Sequence, residues 1–475
     1  MENHKRTKII ATLGPATNNA EMIAKLIEAG VDLFRLNFSH GTKEDHKQSI
    51  DFIHKEGKRL GKHIGVLQDL QGPKIRVTTF KKNSIELKEG ETFKLTCDDD
   101  SPGDKKRVGV TYKNLCNDVK ADDILLLDDG RLGLRVTAIS GNTIETVVTL
   151  GGTLSNNKGI NLPRVELSIP ALTDKDIEDL LLGVELGVDW VAISFVRSRD
   201  DLLLARHYLA RAGSTAKIIA KIEKPKAVER FDEILEQSDG IMVARGDLGV
   251  ELEPELVPII QKKLISLAIE SGKPVITATQ MLESMITNPN PTRAEASDVA
   301  NAIYDGTDAI MLSAETAVGQ YPVKAVAMMT RIIKSVESDE EYQKAMREHY
   351  PKPMGSVADS ISRSACRLVF ELSADSIVTF TSSGTTATNV ARNRPAAPIL
   401  TITPNESVCR QLMLVWGVIP YLGKDISNTD EMVTSATKAL DKLKLIEKDS
   451  IFIITAGVPF GQRGTTNLIR VERFK

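Results

Sequence analysis

The sequence comprises 475 residues, of which 41% are hydrophobic and 26% are charged, a composition that excludes a disordered or fibrous chain. The formal net charge of −3 gives no electrostatic support for a nucleic-acid or anionic-membrane partner. No apolar run approaches the roughly 18 residues of a membrane span, and the first apolar stretch is too short for a secretory signal. We therefore expect a cytoplasmic protein with several domains.

Short β-branched apolar segments alternate with helix-like segments, which predicts βα units around a parallel sheet. Eight strand segments can be counted, the number that closes a (β/α)8 TIM barrel with a filled interior. In chain order they are 8–13, 33–38, 63–69, 190–195, 216–222, 240–245, 274–279 and 309–313. We assign residues 1–71 and 169–340 to this catalytic barrel.

A helix between residues 173 and 187 illustrates the pattern, because its apolar positions follow one helical face. Thr173 and Asp176 have the spacing of a capping box at its start. Gly187 is placed to end it.

Residues 72–168 interrupt the alternation with short strands, turns and no clear long helix. This segment predicts a small β-barrel domain inserted after the third barrel strand. A hinged insertion at that position could close over the barrel as a lid.

A charged stretch at 337–341 suggests another boundary, after which the α/β pattern resumes. Strands are predicted at 376–381, 399–403 and 451–455, with helical segments between them. Residues 341–475 are therefore expected to form a separate α/β domain with an open sheet.

The cysteines show neither a CxxC pair nor zinc-finger spacing to a histidine. Free thiols in a reducing compartment are the expectation. They are Cys97, Cys116, Cys366 and Cys409.

Polar residues at the C-terminal ends of barrel strands are candidate site residues. Lys221 and Glu223 are two apart on one strand and share a face, and Asp247 follows the next strand. Two carboxylates with room for substrate oxygens suit Mg²⁺ or Mn²⁺. Arg35 and Lys221 could hold a phosphate beside that ion, which favours phosphoryl transfer. Any one of these charges could equally be a structural ion pair, so the prediction depends on their convergence.

Several segments at these positions resemble the pyruvate kinase family over essentially the whole chain. They are residues 35–40, 221–223, 242–249, 278–285, 301–308 and 312–316. The resemblance implies Mg²⁺-dependent transfer of a phosphoryl group from phosphoenolpyruvate to ADP, giving pyruvate and ATP in the last step of glycolysis. It also implies a homotetramer.

The resemblance further implies a role for each matching residue. Glu223 and Asp247 would bind the divalent ion, and Lys221 would stabilise the phosphoryl group during transfer. The substrate would be held by Arg35, Lys221, Gly246, Asp247 and Thr279. The catalytic residues would be Lys221, Thr279 and Arg35. Thr279 would also aid proton transfer to the enolate. Nucleotide and transferred phosphate would meet Asn37, His40, Arg76 and Lys158, with Arg35. Lys158 lies in the insertion, so its role would require that domain to close.

One motif departs from many members of the family, which bind K⁺ through side chains matching Asn37, Ser39 and Asp69 and a following threonine. Here Leu70 replaces that threonine, and Lys74 stands where K⁺-dependent members have glutamate. A fixed ammonium can replace a bound monovalent ion. The sequence therefore resembles a bacterial variant that needs Mg²⁺ but not K⁺, unless Lys74 is simply a solvated surface lysine.

In the C-terminal domain, a hydroxyl-rich turn follows a strand and is expected to open a helix, where backbone N–H groups could bind phosphate. It comprises Thr381, Ser382, Ser383, Gly384, Thr385 and Thr386, with residues 457–466 as the expected facing loop. The resemblance implies activation by a phosphorylated small molecule there. The same turn could be a plain N-cap.

Two other functions fit parts of the pattern. A divalent-metal lyase or aldolase on a similar barrel would use the same carboxylates, although Arg76 and Lys158 favour a nucleotide. A non-catalytic sensor could keep the fold, but Lys221, Glu223, Asp247 and Thr279 are all present. Fold alone does not separate these readings.

Overall fold

The predicted barrel is present in the computed structural model, which describes residues 4–99, 101–163, 165–348, 351–459 and 465–475. Its eight strands are all parallel, and the ring closes where the first strand pairs with the eighth. The strands are Lys8–Thr12, Leu33–Asn37, Gly65–Asp69, Trp190–Ile193, Lys217–Ile222, Gly240–Ala244, Val275–Ala278 and Ala309–Leu312. Because all run the same way, their C-terminal ends form one mouth.

Helices surround the ring and bury their apolar faces against the outward side chains of the strands. Their bounds are Ala20–Ala29, Lys43–Arg59, Asp174–Glu185, Arg199–Arg211, Pro225–Glu229, Phe231–Gln237, Arg245–Glu251, Val257–Glu270, Arg293–Tyr304, Ala314–Ala317, Pro322–Glu337 and Glu340–Glu348, with 3₁₀ turns at Pro254–Leu256 and Glu283–Ile286. The inward side chains form a second cluster, which includes Trp190 and Met242. Leu414 of the C-terminal region belongs to this interior cluster, so that region plugs the end opposite the mouth.

The helix Asp174–Glu185 begins and ends as its sequence predicts. The Thr173 side chain accepts a hydrogen bond from the Asp176 backbone N–H, and the Asp176 carboxylate accepts one from the Thr173 backbone N–H, which completes the capping box. Gly187 adopts a φ of 72°, the left-handed conformation that glycine adopts without strain.

The insertion folds around its own apolar cluster. A six-stranded sheet has the spatial order Ile160–Asn161, Ile124–Leu127, Leu132–Ser140, Thr143–Leu150, Thr92–Thr96 and Arg107–Gly109, and a separate ladder pairs Ser84–Leu87 with Gly152–Ser155. A short helix covers Leu115–Asp118. Single bridges Arg76↔Gly159 and Val77↔Val110 join the two outer strands of the sheet, so residues 76–77 complete a small barrel.

The prediction of four free thiols is wrong for one pair. Cys97 and Cys116 are joined by a disulfide inside the insertion, whereas Cys366 and Cys409 are free. The fold brings the end of the strand Thr92–Thr96 beside the helix Leu115–Asp118, a contact that a separation of 19 residues does not reveal.

The C-terminal region forms an open five-stranded sheet, as predicted. Its spatial order is Val418–Leu422, Ile399–Thr403, Ser376–Phe380, Ile451–Gly457 and Thr466–Arg473, with only the last strand antiparallel. The helices are Val357–Leu372, Thr385–Arg392, Glu406–Leu412 and Thr429–Lys442. The first and last strands in this order were missed by the sequence. The domain boundaries placed at 72, 168 and 340 stay predictions.

Within the described parts of the chain, no helix combines the length and apolarity needed to span a bilayer.

Candidate active site

A network of buried and partly buried charges occupies the barrel mouth. Lys221 lies at its centre, with its Nζ 3.2 Å from Asp69 Oδ1 and 2.9 Å from Glu223 Oε1. Arg35 Nε approaches the other oxygen of Asp69 at 2.6 Å. The side chains of Asp69 and Glu223 are only 2% and 1% exposed. Four strand-end residues that the sequence singled out therefore share one interconnected cluster.

The charges in this cluster determine one another's protonation. Burial alone would raise the pKa of Asp69, but the Arg35 and Lys221 charges outweigh it and hold that pKa below its ordinary value. Burial opposes the charge of Lys221, yet Asp69 and Glu223 raise its pKa above the ordinary value. The mouth thus holds a charged lysine, beside the Arg35 guanidinium, that can bind an anion.

Glu223 has the opposite tendency. Its pKa is raised, first by burial and further by the negative charge of Asp247, although Lys221 opposes both effects. A divalent cation between Glu223 and Asp247 would offset the negative charge that raises the pKa of Glu223, so these residues fit Mg²⁺ or Mn²⁺. No cluster of three or more His, Cys, Asp or Glu residues suited to a metal occurs among the described residues, so substrate or water would complete the coordination.

Asp247 and Gly246 lie in the first turn of the helix Arg245–Glu251, against Thr279 at the end of the seventh strand. The Thr279 hydroxyl accepts a hydrogen bond from the Gly246 N–H at 2.7 Å and donates to the Ala278 carbonyl at 2.6 Å. Thr279 adopts a φ of 70°, which is strained for a β-branched residue. The surrounding contacts therefore fix this hydroxyl at the mouth.

Arg245 holds that strained turn and was given no role from the sequence. Its guanidinium donates to the Thr279 carbonyl at 2.7 Å and to Asp298 at 2.8 Å. The available signal was its position directly before the Gly246-Asp247 step, at the end of a barrel strand.

Ser194 and Phe195 are further residues that the sequence analysis missed. Ser194 accepts a hydrogen bond from Lys221 Nζ at 2.7 Å and donates to the Leu70 carbonyl at 2.7 Å. Phe195, at a φ of 55°, points its backbone N–H at Glu223 Oε2, 2.8 Å away. A Cβ on Gly72 would lie 2.8 Å from the Phe195 ring, so this close approach requires glycine there. The spacing of apolar and polar residues in the sequence does not indicate such backbone contacts.

Comparison with known proteins agrees with this geometry. Residues 4–326 match the family described as pyruvate kinase, barrel domain, and residues 359–472 match pyruvate kinase, alpha/beta domain. The chain belongs to the pyruvate kinase family. This membership makes it a phosphotransferase and sets aside the lyase, aldolase and sensor alternatives.

Individual relatives support the same assignment. The chain is 46% identical to the pyruvate kinase of Corynebacterium glutamicum, over 98% of this chain and 97% of the relative. It is 45% identical to that of Methylorubrum extorquens, over 99% and 98% respectively. The crystal structure of a Cryptosporidium parvum pyruvate kinase superposes with a TM-score of 0.92 at 36% identity, covering 99% of this chain and 96% of that one.

The residues that the family resemblance links to the nucleotide make their contacts in two parts of the chain. Asn37 accepts a hydrogen bond from the Ser39 N–H at 3.2 Å at the barrel mouth, and His40 is exposed beside them. Arg76 instead donates to the Asn157 carbonyl at 3.1 Å, and Lys158 pairs with Asp128 at 2.7 Å, both within the insertion.

Lys74 lies at the junction between insertion and barrel. Its Nζ is 3.8 Å from Asp247 Oδ1, and both side chains are under one-third exposed. Leu70 is buried, and Asp69 takes Arg35 and Lys221 as its ion-pair partners. The ammonium of Lys74 therefore lies beside the proposed divalent site, and not against Asp69.

The hydroxyl-rich turn lines a pocket of about 300 Å³ in the C-terminal region. Gly384, at a φ of 90°, precedes the helix Thr385–Arg392, and its N–H donates to the Thr381 hydroxyl at 2.9 Å. Thr386 shares a hydrogen bond of 2.7 Å with Thr466 across the pocket. Ser382 and Ser383 also line it. Residues 460–464 of the expected facing loop lie outside the described residues.

Proposed function

We propose that this enzyme transfers the phosphoryl group of phosphoenolpyruvate to ADP at the barrel mouth, with Glu223 and Asp247 holding Mg²⁺. The observation that supports the proposal is the convergence of Lys221, Glu223 and Asp247. Lys221 contacts Glu223, and Asp247 acts electrostatically on both. When bound, the divalent ion would neutralise charge on the phosphate and polarise the enolate oxygen.

Lys221 and Arg35 bind and orient the phosphoryl group in this mechanism. Asp69 and Ser194 hold the Lys221 ammonium in place, so its positive charge needs little rearrangement as the group is transferred. Asp69 orients the Arg35 guanidinium in the same way. The residues thus form a preorganised cationic cradle for charge that spreads over the phosphoryl oxygens.

Thr279 and Gly246 act on the other end of the substrate. The short backbone turn at Gly246 leaves space for a carboxylate to approach, since an added Cβ there would lie 3.3 Å from Thr279 Oγ1. The Thr279 hydroxyl is placed to aid the proton transfer that converts enolate to pyruvate. Asn37 and His40 meet the nucleotide, joined by Arg76 and Lys158 when the insertion closes.

The test of the metal assignment is pyruvate and ATP formation from phosphoenolpyruvate and ADP at varied Mg²⁺. Glu223→Gln and Asp247→Asn should each lose most activity at any Mg²⁺ concentration. Full activity in either variant would contradict the assigned ligands.

We also propose that K⁺ is not required. Lys74 brings a fixed positive charge to within 3.8 Å of Asp247, at the junction where the insertion meets the proposed metal site. Assay in buffer free of K⁺ and Na⁺ should give full turnover with Mg²⁺ alone. Strong activation by added K⁺ would contradict this.

A phosphorylated small molecule is proposed to activate the enzyme from the pocket beside Thr381, Ser382, Ser383, Gly384, Thr385 and Thr386. The support is a pocket of about 300 Å³ lined by hydroxyls at the start of a helix. We further propose a homotetramer that works in the cytoplasm, which light scattering of the purified enzyme and cell fractionation would test.

A further inference from the structure

A buried ion pair lies behind the proposed metal site and involves two residues to which the family resemblance assigns no role. Lys224 Nζ is 2.6 Å from Glu251 Oε1, and the two side chains are 15% and 1% exposed. Lys224 directly follows Glu223 in the chain. Glu251 lies one helical turn after Asp247 on the helix Arg245–Glu251. The ion pair therefore joins the two segments that carry the proposed metal ligands.

Lys224 also contacts the residue that orients Glu223. Its ammonium lies 5.7 Å from the centre of the Phe195 ring, within the range of a cation–π interaction. The backbone N–H of Phe195 donates to Glu223 Oε2. One lysine therefore touches both the strained Phe195 turn and the helix that presents Asp247.

The inserted domain reaches the same carboxylate. Asn161, at the end of the strand Ile160–Asn161, donates from Nδ2 to Glu251 Oε1 at 3.0 Å, and Asn161 is buried. The second oxygen of Glu251 is buried with no hydrogen-bond partner among the described residues. Lys224 and Asn161 therefore hold this carboxylate through a single oxygen.

A buried ion pair of this kind is weak evidence for a role in stability, because apolar side chains of similar volume often stabilise a fold as well or better. Outer residues that orient metal ligands, in contrast, commonly set metal affinity. We propose that Lys224 and Glu251 are positioning residues that fix the spacing between Glu223 and Asp247 and connect that spacing to the inserted domain through Asn161. This inference rests on the proposed metal site.

The experiment measures the Kd of Mn²⁺ on the full-length enzyme without substrate, by electron paramagnetic resonance of the free ion. Lys224→Met and Glu251→Gln should each raise that Kd about 10- to 100-fold. Lys224→Arg retains the charge and should recover most of the affinity. In activity assays the half-saturating Mg²⁺ concentration should rise in the first two variants, while kcat at saturating Mg²⁺ falls much less.

The matched control is another buried ion pair, at the opposite end of the barrel. Asp189 lies 3.0 Å from Arg410 and is equally buried, at 1% exposure, just before the fourth barrel strand. Asp189→Asn should lower the Tm as Glu251→Gln does but leave the Mn²⁺ Kd unchanged. A similar loss of Mn²⁺ affinity in the control would show a general effect of destabilisation and would overturn the inference.

Glu223→Gln and Asp247→Asn separate the inference from the proposed function. If these two lose Mn²⁺ binding while Lys224→Met and Glu251→Gln keep it, the positioning role is wrong and the metal site stands. If Glu223→Gln and Asp247→Asn both bind Mn²⁺ normally, the metal site itself is wrong. Should Glu251→Gln fail to fold, Lys224→Met alone decides between these outcomes.

Discussion

The barrel mouth and the C-terminal pocket both offer a place for phosphate, but they are built from different chemistry. At the mouth, the buried carboxylates of Asp69 and Glu223 contact the partly buried cations of Arg35 and Lys221 within 3.2 Å. The C-terminal pocket is lined mainly by hydroxyl-bearing residues of the turn, with Lys424 and Asp425 at its side, and the Thr381 hydroxyl is itself bonded to the backbone.

Substitutions at the mouth should therefore have larger effects than substitutions in the turn. The interaction between two charges is stronger where the local dielectric constant is low. The removal of one charge from such a pair leaves its partner unpaired. Hydroxyl and amide groups near solvent lose hydrogen bonds to water when a ligand binds them, so the net gain in binding free energy is modest. The mouth is therefore suited to a phosphoryl-transfer step, and the turn is suited to reversible binding of a ligand.

The largest effect is expected from the centre of the mouth. Lys221→Met removes the charge that faces the transferred phosphoryl group and leaves Asp69 and Glu223 without it, so kcat should fall about 1,000-fold. A coupled assay of pyruvate formation beside the wild-type enzyme measures this. If the Lys221→Met variant retained its turnover, the charges at the mouth would not be responsible for catalysis.

A smaller but specific effect is expected at Lys74. The double variant Leu70→Thr with Lys74→Glu replaces the fixed ammonium with the residue types that K⁺-dependent members carry. Its activity in K⁺-free buffer should fall about 100-fold and return when K⁺ is added.

The control is Lys113→Glu, which makes the same charge change on the insertion and should leave K⁺ dependence unaltered. If the double variant is equally inactive with and without K⁺, the ammonium does not substitute for a monovalent ion.

Much of the mouth could be predicted from the sequence, because its chemistry depends on which charged side chains stand at the strand ends. Lys221 and Glu223 had to share a face once they were placed on a strand, and the parallel ring brings every strand end to one mouth. The eight strands followed from β-branched runs that alternate with helix-like segments.

What the sequence did not predict depends on backbone geometry and on long-range contacts. The N–H of Phe195 that holds Glu223 arises from a φ of 55°, which no residue pattern announces. The Cys97–Cys116 disulfide joins two elements whose packing follows from the insertion's whole fold. Arg76 and Lys158 were expected to act with the nucleotide, and their contacts within the insertion leave that role a prediction.

At the C-terminal turn, an added negative charge should act on binding more than on chemistry. Ser383→Asp places a carboxylate in the pocket, where it repels a phosphate, so the affinity for an activating phosphorylated ligand should fall about tenfold. Titration of sugar phosphates and AMP against initial rate gives the activation constant. If none of these ligands changes the kinetics of the wild-type enzyme or raises its Tm, the pocket is not an effector site.

The smallest effect is expected from a single hydroxyl inside the turn. Thr381→Val keeps the shape of the side chain but removes the hydroxyl that accepts hydrogen bonds from the Ser383 and Gly384 N–H groups at 3.4 and 2.9 Å. The turn should lose about 1 kcal/mol of local stability, seen as faster amide hydrogen exchange in residues 382–386. Ser364→Ala is the control, because its hydroxyl donates to the Ser360 carbonyl on an exposed helix face and makes no other hydrogen bond within the described residues. The turn belongs to the C-terminal region, which contacts the end of the barrel opposite the mouth. The kcat measured without effector should therefore stay constant. A large fall in that kcat would show that the turn and the mouth are coupled even without a ligand.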